Sequence, residues 1–286
     1  MEEHKKILKL LDIWENDISI KSIDGGMTNN NYFVSDGNKK YIARFAPHNT
    51  KILGLNRQKE IQNTKIASEN NIGPDVKKYY KNYDLLILEF IEGNILSVGV
   101  AQQIDTIKKI AELFLKLHSL AGFSGNRLPL QRAESYFNEV KSRNGWIPDN
   151  LEESFIKTKE IISQLKPCVS CSCHLDVMLE NVIVCSDGNL KLIDWEYSEN
   201  ADPRYDLAMY IIKAKLNREQ EEHLFLCYGI NKEEDKQDIR KMKTLVALAE
   251  ATYGVLQNVI SDRISVGYRE YAESELKELE SLLTDV

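Results

Sequence analysis

Three polar side chains in one short stretch have the types and the spacing that phosphoryl transfer requires. Asp176 and Asn181 stand five positions apart in a His-x-Asp-x-x-x-x-Asn motif, and Asp194 follows downstream. One carboxylate can orient an acceptor hydroxyl and take its proton, while an amide oxygen and a second carboxylate hold magnesium on the phosphates of ATP. The set therefore predicts Asp176 as the catalytic base and Asn181 and Asp194 as magnesium ligands, with Glu196 assisting the metal.

The segment between these residues predicts a hairpin that brings them together. Apolar runs at 182–184 and 190–193 flank the turn residues Ser-Asp-Gly-Asn at 186–189, a pattern typical of a β-hairpin. The hairpin returns Asp194 to the loop of the motif. Protein kinases use the same Asp-to-Asn spacing followed by a downstream Asp. A surface loop in which these residues only form turns is the alternative, but the order of the whole set favours catalysis.

Length, charge and the first residues limit the class of protein. A chain of 286 residues is long enough for one large or two modest domains. The net charge of −7, with no segment dominated by Lys or Arg, argues against a nucleic-acid binder. No apolar run approaches the length of a membrane span, and residues 1–6 do not have the pattern of a signal peptide. We therefore expect a cytoplasmic protein; the sequence leaves its oligomeric state open.

A cluster of cysteines directly before the motif offers a possible metal site. Three of the five cysteines, Cys168, Cys171 and Cys173, precede His174, and together these four residues could bind zinc. The segment also alternates like a strand that leads into the catalytic loop, with Cys171 and Cys173 on one face. Since an unpaired Cys behaves as a small buried hydrophobe, the strand is favoured over the zinc site, and reduced thiols fit the cytosol.

The N-terminal third predicts a sheet with a polar, glycine-rich tip. A helix over 2–15 precedes the tip, which offers backbone N–H groups and short polar side chains suited to covering phosphates. It matches neither the Walker loop nor Gly-x-Gly-x-x-Gly, and a plain polar hairpin is the alternative. The expected strands are at 18–20, 32–34, 41–45, 76–80 and 85–90. The predicted nucleotide contacts in the tip are Gly26, Met27, Thr28, Asn29 and Asn30.

Further nucleotide-binding residues are predicted from their place relative to these strands. Arg44 lies in the third strand, where protein kinases carry a phosphate-contacting Lys, and Glu60 lies in a helix predicted over 53–70. The two can form the ion pair between strand and helix of a kinase N-lobe. Glu89 and Ile91 follow where the chain leaves the sheet, so their backbone could pair with the edge of adenine.

From about residue 100 the pattern becomes helical. An apolar stripe runs over 104–118 and ends at His118, which we interpret as a core histidine with its hydrogen bonds satisfied. Further helices are expected at 132–143, 150–165, 203–216, 218–228, 235–261 and 267–283. The fold class is therefore α+β, a protein-kinase-like two-lobe fold with a five-stranded antiparallel N-lobe sheet and a mostly helical C-lobe. We expect residues 1–92 to form the nucleotide-binding lobe and 93–286 to hold the catalytic loop and acceptor pocket.

These motifs carry a family resemblance that extends over roughly residues 20–271. The tip at 25–32 resembles the Gly-Gly-Leu-Thr-Asn-x-Asn-Tyr loop of choline/ethanolamine kinases, and 173–181 resembles their Cys-His-Asn-Asp-x-x-x-x-Asn loop. The stretch from 192 to 208 is similar to that of bacterial choline kinases. The chain therefore resembles this family, which belongs to the aminoglycoside-phosphotransferase-like superfamily.

The resemblance implies a reaction and its participants. It implies a choline kinase that uses ATP and Mg²⁺ to phosphorylate the hydroxyl of a small amino alcohol. It also implies that His174 and Asp206 support the catalytic loop from behind. A related kinase acting on ethanolamine, thiamine or an aminoglycoside stays open, because a fold does not fix a substrate. A nucleotide-binding module without catalysis is a third alternative, against which the intact motif argues.

Two departures from the family pattern concern the acceptor. Leu175 stands where the family usually has Asn, and Glu250 and Tyr253 precede Gln257 where the family often has two aromatic residues. A quaternary ammonium is best held by aromatic faces together with carboxylates, although ordinary helix core is the alternative for each aromatic. The predicted acceptor residues are Asp176, Glu196, Tyr197, Glu250 and Tyr253, with Trp195 and Tyr210 in reserve.

Overall fold

The N-terminal part of the chain is built on an antiparallel sheet. The computed structural model describes residues 2–23, 29–47, 49–262 and 266–285. The sheet has the strand order β1-β2-β3-β5-β4 and is antiparallel throughout, which confirms the predicted five-stranded sheet. Its strands are β1 Ile18–Ile23, β2 Asn30–Asp36, β3 Lys39–Phe45, β4 Val76–Tyr80 and β5 Leu85–Glu89. Gly37, with φ of 59°, makes the tight turn between β2 and β3.

The first helix covers one face of this sheet but is shorter than predicted. Helix α1 spans Glu2–Lys9 and buries Leu8 against the sheet, whereas the sequence predicts a helix over 2–15. Beyond Lys9 the backbone finds other partners: the N–H groups of Glu15 and Asn16 donate to the Asp36 carboxylate at 2.9 and 2.8 Å. These bonds replace those that a longer helix would make.

A second difference is that the helix predicted over 53–70 is two helices. Helix α2, Thr50–Leu53, ends at Gly54, which has a φ of 69°. Helix α3, Arg57–Glu69, starts anew because the Asn56 side chain accepts a hydrogen bond from the Lys59 N–H at 3.1 Å. The break places α3 beside the sheet and the short 3₁₀ turn at Trp195–Tyr197.

The rest of the chain is mostly helical, with every predicted helix present near its expected place. Its core is α10, whose residues pack against α6, α7, α8 and α11. Within the part of the chain that the structure describes, no helix is long and apolar enough to cross a membrane. The helices are α4 Val98–Ala101, α5 Ile104–His118, α6 Pro129–Ser142, α7 Leu151–Ser163, α8 Arg204–Lys213, α9 Arg218–Tyr228, α10 Glu233–Ile260 and α11 Tyr268–Asp285.

The chain also forms two small antiparallel sheets. One pairs β7, Cys171–Cys173, with β10, Glu199–Ala201. The other has the order β6-β8-β9 and contains the predicted hairpin. Its strands are β6 Gly93–Ile95, β8 Val182–Cys185 and β9 Leu190–Leu192. The segment between β7 and β8 carries the catalytic motif, so it is anchored at both ends.

Candidate active site

The loop between β7 and β8 is held from behind by one buried carboxylate. Asp206, at the start of α8, accepts hydrogen bonds from the backbone N–H groups of His174 and Leu175, both at 2.8 Å. The ring of His118 lies 3.2 Å from the same carboxylate and 2.7 Å from the Tyr228 hydroxyl. His118 is therefore a core histidine, as predicted, but it also steadies Asp206. That contact joins residues 88 positions apart and is not visible in the sequence.

The loop brings the predicted base and its amide partner together. The Asn181 side chain donates to the backbone oxygen of Asp176 at 2.9 Å and to its carboxylate at 3.0 Å. The end of the hairpin is fixed to the same loop, because the Ile193 N–H donates to the Asn181 carbonyl at 2.9 Å. His174 adds a second connection by donating from Nε2 to the Ile193 carbonyl at 3.0 Å.

Asp194 follows the hairpin and faces a cation from the large sheet. Its backbone is left-handed, with φ of 67°, and its Oδ1 accepts from the Arg44 guanidinium at 2.6 Å. Arg44 also lies 3.2 Å from Glu60 and 3.2 Å from Glu196. The predicted pair between strand and helix, Arg44 with Glu60, is confirmed. The contact of Arg44 with Asp194 was not predicted.

Glu196 is buried, with partners from the N-terminal part of the chain. Asn29 donates to its carboxylate at 2.6 Å, and Arg57 donates to the Asn29 side chain at 3.4 Å. Burial, together with the negative charge of Asp194, raises the pKa of Glu196 to about 8. A cation close to this carboxylate would favour its ionised form. The run of three Asn residues at 29–31 is the only sequence signal for the Asn29 contact.

Asp176 lies in an environment that favours its neutral form. Burial raises the pKa of the Asp176 carboxyl well above its usual range, and the negative charges of Asp194, Glu250 and Glu196 add to this rise. The positive charge of Arg132 lowers the same pKa. A carboxylate with a raised pKa is a stronger proton acceptor once it is ionised. The environment is therefore suited to taking a proton from a hydroxyl.

The predicted adenine-side residues lie where the chain leaves the large sheet. Glu89 ends β5, is exposed and has the Lys77 ammonium 3.3 Å away. Ile91 is half-buried in the short connection that leads to β6, and Asn30 is paired opposite Phe45. The other predicted tip contacts, Gly26, Met27 and Thr28, lie outside the described residues.

The predicted acceptor residues meet a second group of charges. The guanidinium of Arg132, on α6, lies 4.5 Å from the centre of the Tyr197 ring. The Glu250 carboxylate accepts from the Tyr271 hydroxyl and has the Lys213 ammonium 3.8 Å away. The predicted acceptor region therefore contains the Arg132 cation against the Tyr197 ring. It also contains the Glu250 carboxylate, which already has protein partners.

Other predicted acceptor aromatics are tied into the helices. The Tyr253 hydroxyl accepts from the Gln257 side chain at 2.8 Å, and its ring lies 6.4 Å from that of Tyr136, between centroids. Trp195 and Tyr210 are fully buried. Trp195 donates to the Leu192 carbonyl at 3.1 Å, and Tyr210 to the Ala101 carbonyl at 2.7 Å. These two reserve aromatics belong to the core.

Arg132 and Lys213 contact predicted acceptor residues but were not predicted from the sequence. Arg132 lies within the buried stripe of α6 that also contains Tyr136 and Val140, and Lys213 ends the largely buried α8 and lies 2.7 Å from Glu275. The sequence signal for both residues was a basic side chain at a position of a helix that is otherwise apolar. Its partners could not be read from the sequence, because they come from α10, α11 and the segment after Asp194.

The cysteine cluster does not converge on a metal site. Cys168 is exposed, while the sulfurs of Cys171 and Cys173 lie 4.0 Å apart on one face of β7, as the strand interpretation requires. Among the residues that the structure describes, one group of three potential ligands lies close together: His118, Cys173 and Asp206. The Asp206 oxygens in that group already accept the loop's hydrogen bonds. The group therefore supports the loop.

Comparison with known proteins places this architecture in a family. The profile described as choline/ethanolamine kinase matches residues 20–247. The protein LicA of Haemophilus influenzae is 25% identical over 213 residues, which span 71% of this chain and 61% of that protein.

Solved structures show the same fold. A choline kinase LicA from Streptococcus pneumoniae has 24% identity, full coverage of both chains and a TM-score of 0.87. A spectinomycin phosphotransferase solved with ADP and spectinomycin has 13% identity, covers 97% of this chain and 98% of its own, and has a TM-score of 0.64. These similarities confirm the protein-kinase-like fold. With the profile matching most of its length, the chain belongs to the choline/ethanolamine kinase family.

Proposed function

We propose that this chain is a Mg²⁺- and ATP-dependent kinase that phosphorylates the hydroxyl of a small amino alcohol, with choline as the first acceptor to test. The observation that carries the proposal is the bonded pair Asp176 and Asn181 in one loop, with Asp194 returned to that loop by the hairpin. Membership of the choline/ethanolamine kinase family supports it. So does the similarity in fold to the choline kinase LicA from Streptococcus pneumoniae.

In this proposal Asp176 is the catalytic base. Its carboxylate orients the acceptor hydroxyl and takes the hydroxyl proton as the oxygen attacks the γ-phosphorus in line with the bond to ADP. The hydrogen bond from Asn181 fixes the orientation of that carboxylate. Asp206 holds the loop backbone from the other side. Most of the rate enhancement then comes from positioning and from charge.

The oxygen atoms available beside Asp176 fit a magnesium ion. Asn181 uses its NH₂ group for Asp176 and Asp194 uses Oδ1 for Arg44, so each residue keeps an oxygen that accepts no hydrogen bond from the described part of the chain. Carboxylate and amide oxygens are the ligands that Mg²⁺ accepts. Asn181 and Asp194 would hold the ion, with Glu196 next to them. When bound, it would neutralise charge on the phosphates.

On the nucleotide side, we assign phosphate binding to the large-sheet half, residues 1–92. Arg44 supplies the positive charge, and Glu60 fixes its position at 3.2 Å. The glycine-rich tip and the connection at Glu89 and Ile91 complete the proposed nucleotide site. Residues 93–286 provide the catalytic loop and the acceptor pocket.

The acceptor is proposed to lie between Asp176 and the residues Tyr197, Glu250 and Tyr253. An aromatic face attracts a trimethylammonium group, which makes choline the first candidate. Ethanolamine is the second, because the Glu250 carboxylate can accept hydrogen bonds that only a protonated amine with N–H groups can donate. Its contact with the Tyr271 hydroxyl shows that this carboxylate binds hydrogen-bond donors.

A screen of acceptors tests the proposal. The purified chain is incubated with ATP, MgCl₂ and one of choline, ethanolamine, thiamine or an aminoglycoside, and ADP release is followed while ³¹P NMR identifies the phosphate ester. Asp176→Asn is the catalytic control, and calorimetry measures ATP binding. We expect turnover with an amino alcohol that Asp176→Asn abolishes. ATP binding without turnover on any acceptor would instead indicate a non-catalytic nucleotide-binding module.

A further inference from the structure

One buried arginine in the acceptor pocket has no carboxylate partner. Four arginines of the described chain, Arg44, Arg57, Arg132 and Arg240, are at most 9% exposed. Three of them pair with Asp or Glu within 4.0 Å. Arg132 is the exception: in the described ranges, no Asp or Glu oxygen lies within 4.0 Å of its nitrogens. Its close polar contacts are neutral side chains: the Tyr197 ring, 4.5 Å from the guanidinium, and the Tyr205 hydroxyl.

This arrangement is costly for the protein alone. A guanidinium removed from water needs a paired anion or several hydrogen bonds to recover its solvation. An aromatic face offsets only part of that loss. A buried charge left in this state, next to a catalytic group, is typical of a binding residue whose partner arrives with the ligand. The partner of a guanidinium is an anion, most effectively a carboxylate or a phosphate.

The surroundings of Arg132 point to the acceptor as the source of that anion. Its guanidinium contacts the ring of Tyr197 at 4.5 Å and interacts with the charge of Glu250, and both are predicted acceptor residues. The metal-site carboxylate Asp194 instead contacts Arg44, the cation from the large sheet. The nucleotide phosphates therefore have a cation of their own. Arg132 lies with the acceptor residues, where Glu250 could bind an ammonium group of the same molecule.

We propose that Arg132 binds a carboxylate of the acceptor, so that the preferred acceptor is an amino alcohol that carries a carboxylate, a hydroxy amino acid. This inference rests on the proposed kinase function and narrows its acceptor class. The hydroxyl oxygen forms a bond to the γ-phosphorus, and the bond from that phosphorus to the β–γ bridging oxygen breaks. The hydroxyl proton passes to Asp176, and ADP leaves with the electron pair.

Two matched acceptor pairs isolate the carboxylate. Serine is ethanolamine with one added carboxylate, and homoserine is 3-amino-1-propanol with the same addition. Steady-state kinetics with all four, and with choline, are measured on the wild type, Arg132→Met, Arg132→Lys and Arg127→Met. Arg127 is the matched control because it lies 5.9 Å from the Tyr136 ring and donates to the Leu53 carbonyl at 3.4 Å. Thermal unfolding of each variant reports whether it is folded.

We expect the wild type to have a higher kcat/KM for a carboxylated acceptor than for its matched amine. Arg132→Met should lower kcat/KM for the carboxylated acceptor roughly 30- to 5,000-fold, the range for removing one partner of a buried charge pair. The values for ethanolamine and 3-amino-1-propanol should change less than about threefold, and Arg127→Met should leave the preference for the carboxylate unchanged. Arg132→Lys, which keeps the charge but loses the planar fork, should give an intermediate ratio.

Several outcomes would overturn the inference. Turnover of choline or ethanolamine without any preference for a carboxylated partner would overturn it while leaving the kinase function intact. An equal loss for all acceptors in Arg132→Met would assign Arg132 to the transferred phosphoryl group or to structure. If Arg132→Met does not fold, an unchanged preference in Arg132→Lys would overturn it and a reduced one would support it. No phosphorylation of any acceptor would refute the kinase function itself.

Discussion

The guanidinium of Arg44 lies 2.6 Å from the carboxylate of Asp194, although 150 positions separate the two residues. Arg44 belongs to β3 of the large sheet, and Asp194 follows the hairpin in the other half of the chain. The same guanidinium contacts Glu60 and Glu196. The Arg44 guanidinium therefore connects helix α3 to the proposed metal ligands. Phosphates bound beside Asp194 would contact a guanidinium whose position is already fixed.

This connection predicts the effect of removing Arg44. In Arg44→Ala we expect a higher KM for ATP and a lower kcat, with little change in the KM for the acceptor. The variant should also lose about 3–5 kcal/mol of stability, because Glu196 stays buried without this cation and Glu60 keeps only its pair with Arg57. Lys40→Ala is the control, since Lys40 is an exposed residue of the same strand. A change confined to the acceptor KM would contradict the assignment.

The metal assignment predicts the behaviour of Asp194→Asn. The amide keeps the shape of the side chain but removes the charge that would hold Mg²⁺. We expect turnover to fall by roughly 1,000-fold, with circular dichroism and thermal unfolding showing a folded protein. Asp187→Asn, in the exposed turn of the same hairpin, should retain full activity. Magnesium-dependent turnover retained in Asp194→Asn would refute the assignment.

The position of Glu250 predicts a selective effect on acceptors. Glu250→Gln removes the negative charge near the proposed ammonium position, so the KM for both choline and ethanolamine should rise. For ethanolamine, whose ammonium can donate to Glu250, the rise should be roughly 10- to 100-fold, the range for a hydrogen bond to a charged group. The KM for ATP should not change. Glu278→Gln, on the exposed face of α11, is the control. An equal rise in the KM for ATP would indicate a general loss of structure.

Burial of His174 predicts how stability depends on pH. Burial lowers the pKa of the His174 imidazole below its usual range, while the same residue in the unfolded chain takes up a proton near pH 6.5. The unfolded state therefore binds more protons as the pH falls below about 6.5, and the free energy of unfolding decreases by up to about 1.4 kcal/mol per pH unit.

Urea unfolding at pH 7.5 and pH 5.5 measures this dependence. His174→Gln removes the titrating group, so the variant should lose less stability than the wild type over the same interval. The comparison concerns the difference between the two pH values, because the variant also alters the hydrogen bond to Ile193. Equal losses in wild type and variant would show that His174 does not carry the effect.

The sequence by itself determined the elements whose signals are local. The spacing of Asp176 and Asn181 and the turn at 186–189 predicted the catalytic loop and its hairpin, because one loop and one tight turn involve few residues. The five strands followed from alternation and turns. Element boundaries were less certain. Helix α1 ends at Lys9, and the N–H groups of Glu15 and Asn16, within the predicted helix, bond to Asp36 of β2 instead.

Only the tertiary structure decided which charges meet in the site. Asn29 contacts Glu196 across 167 positions, and Lys213 contacts Glu275 across 62. Arg132 reaches Tyr197 from a different helix. Such contacts depend on how α6, α8, α10 and the hairpin pack, which periodicity does not specify. A pattern within one segment states which face is buried, whereas the partner on that face is set by the free energy of packing the whole chain.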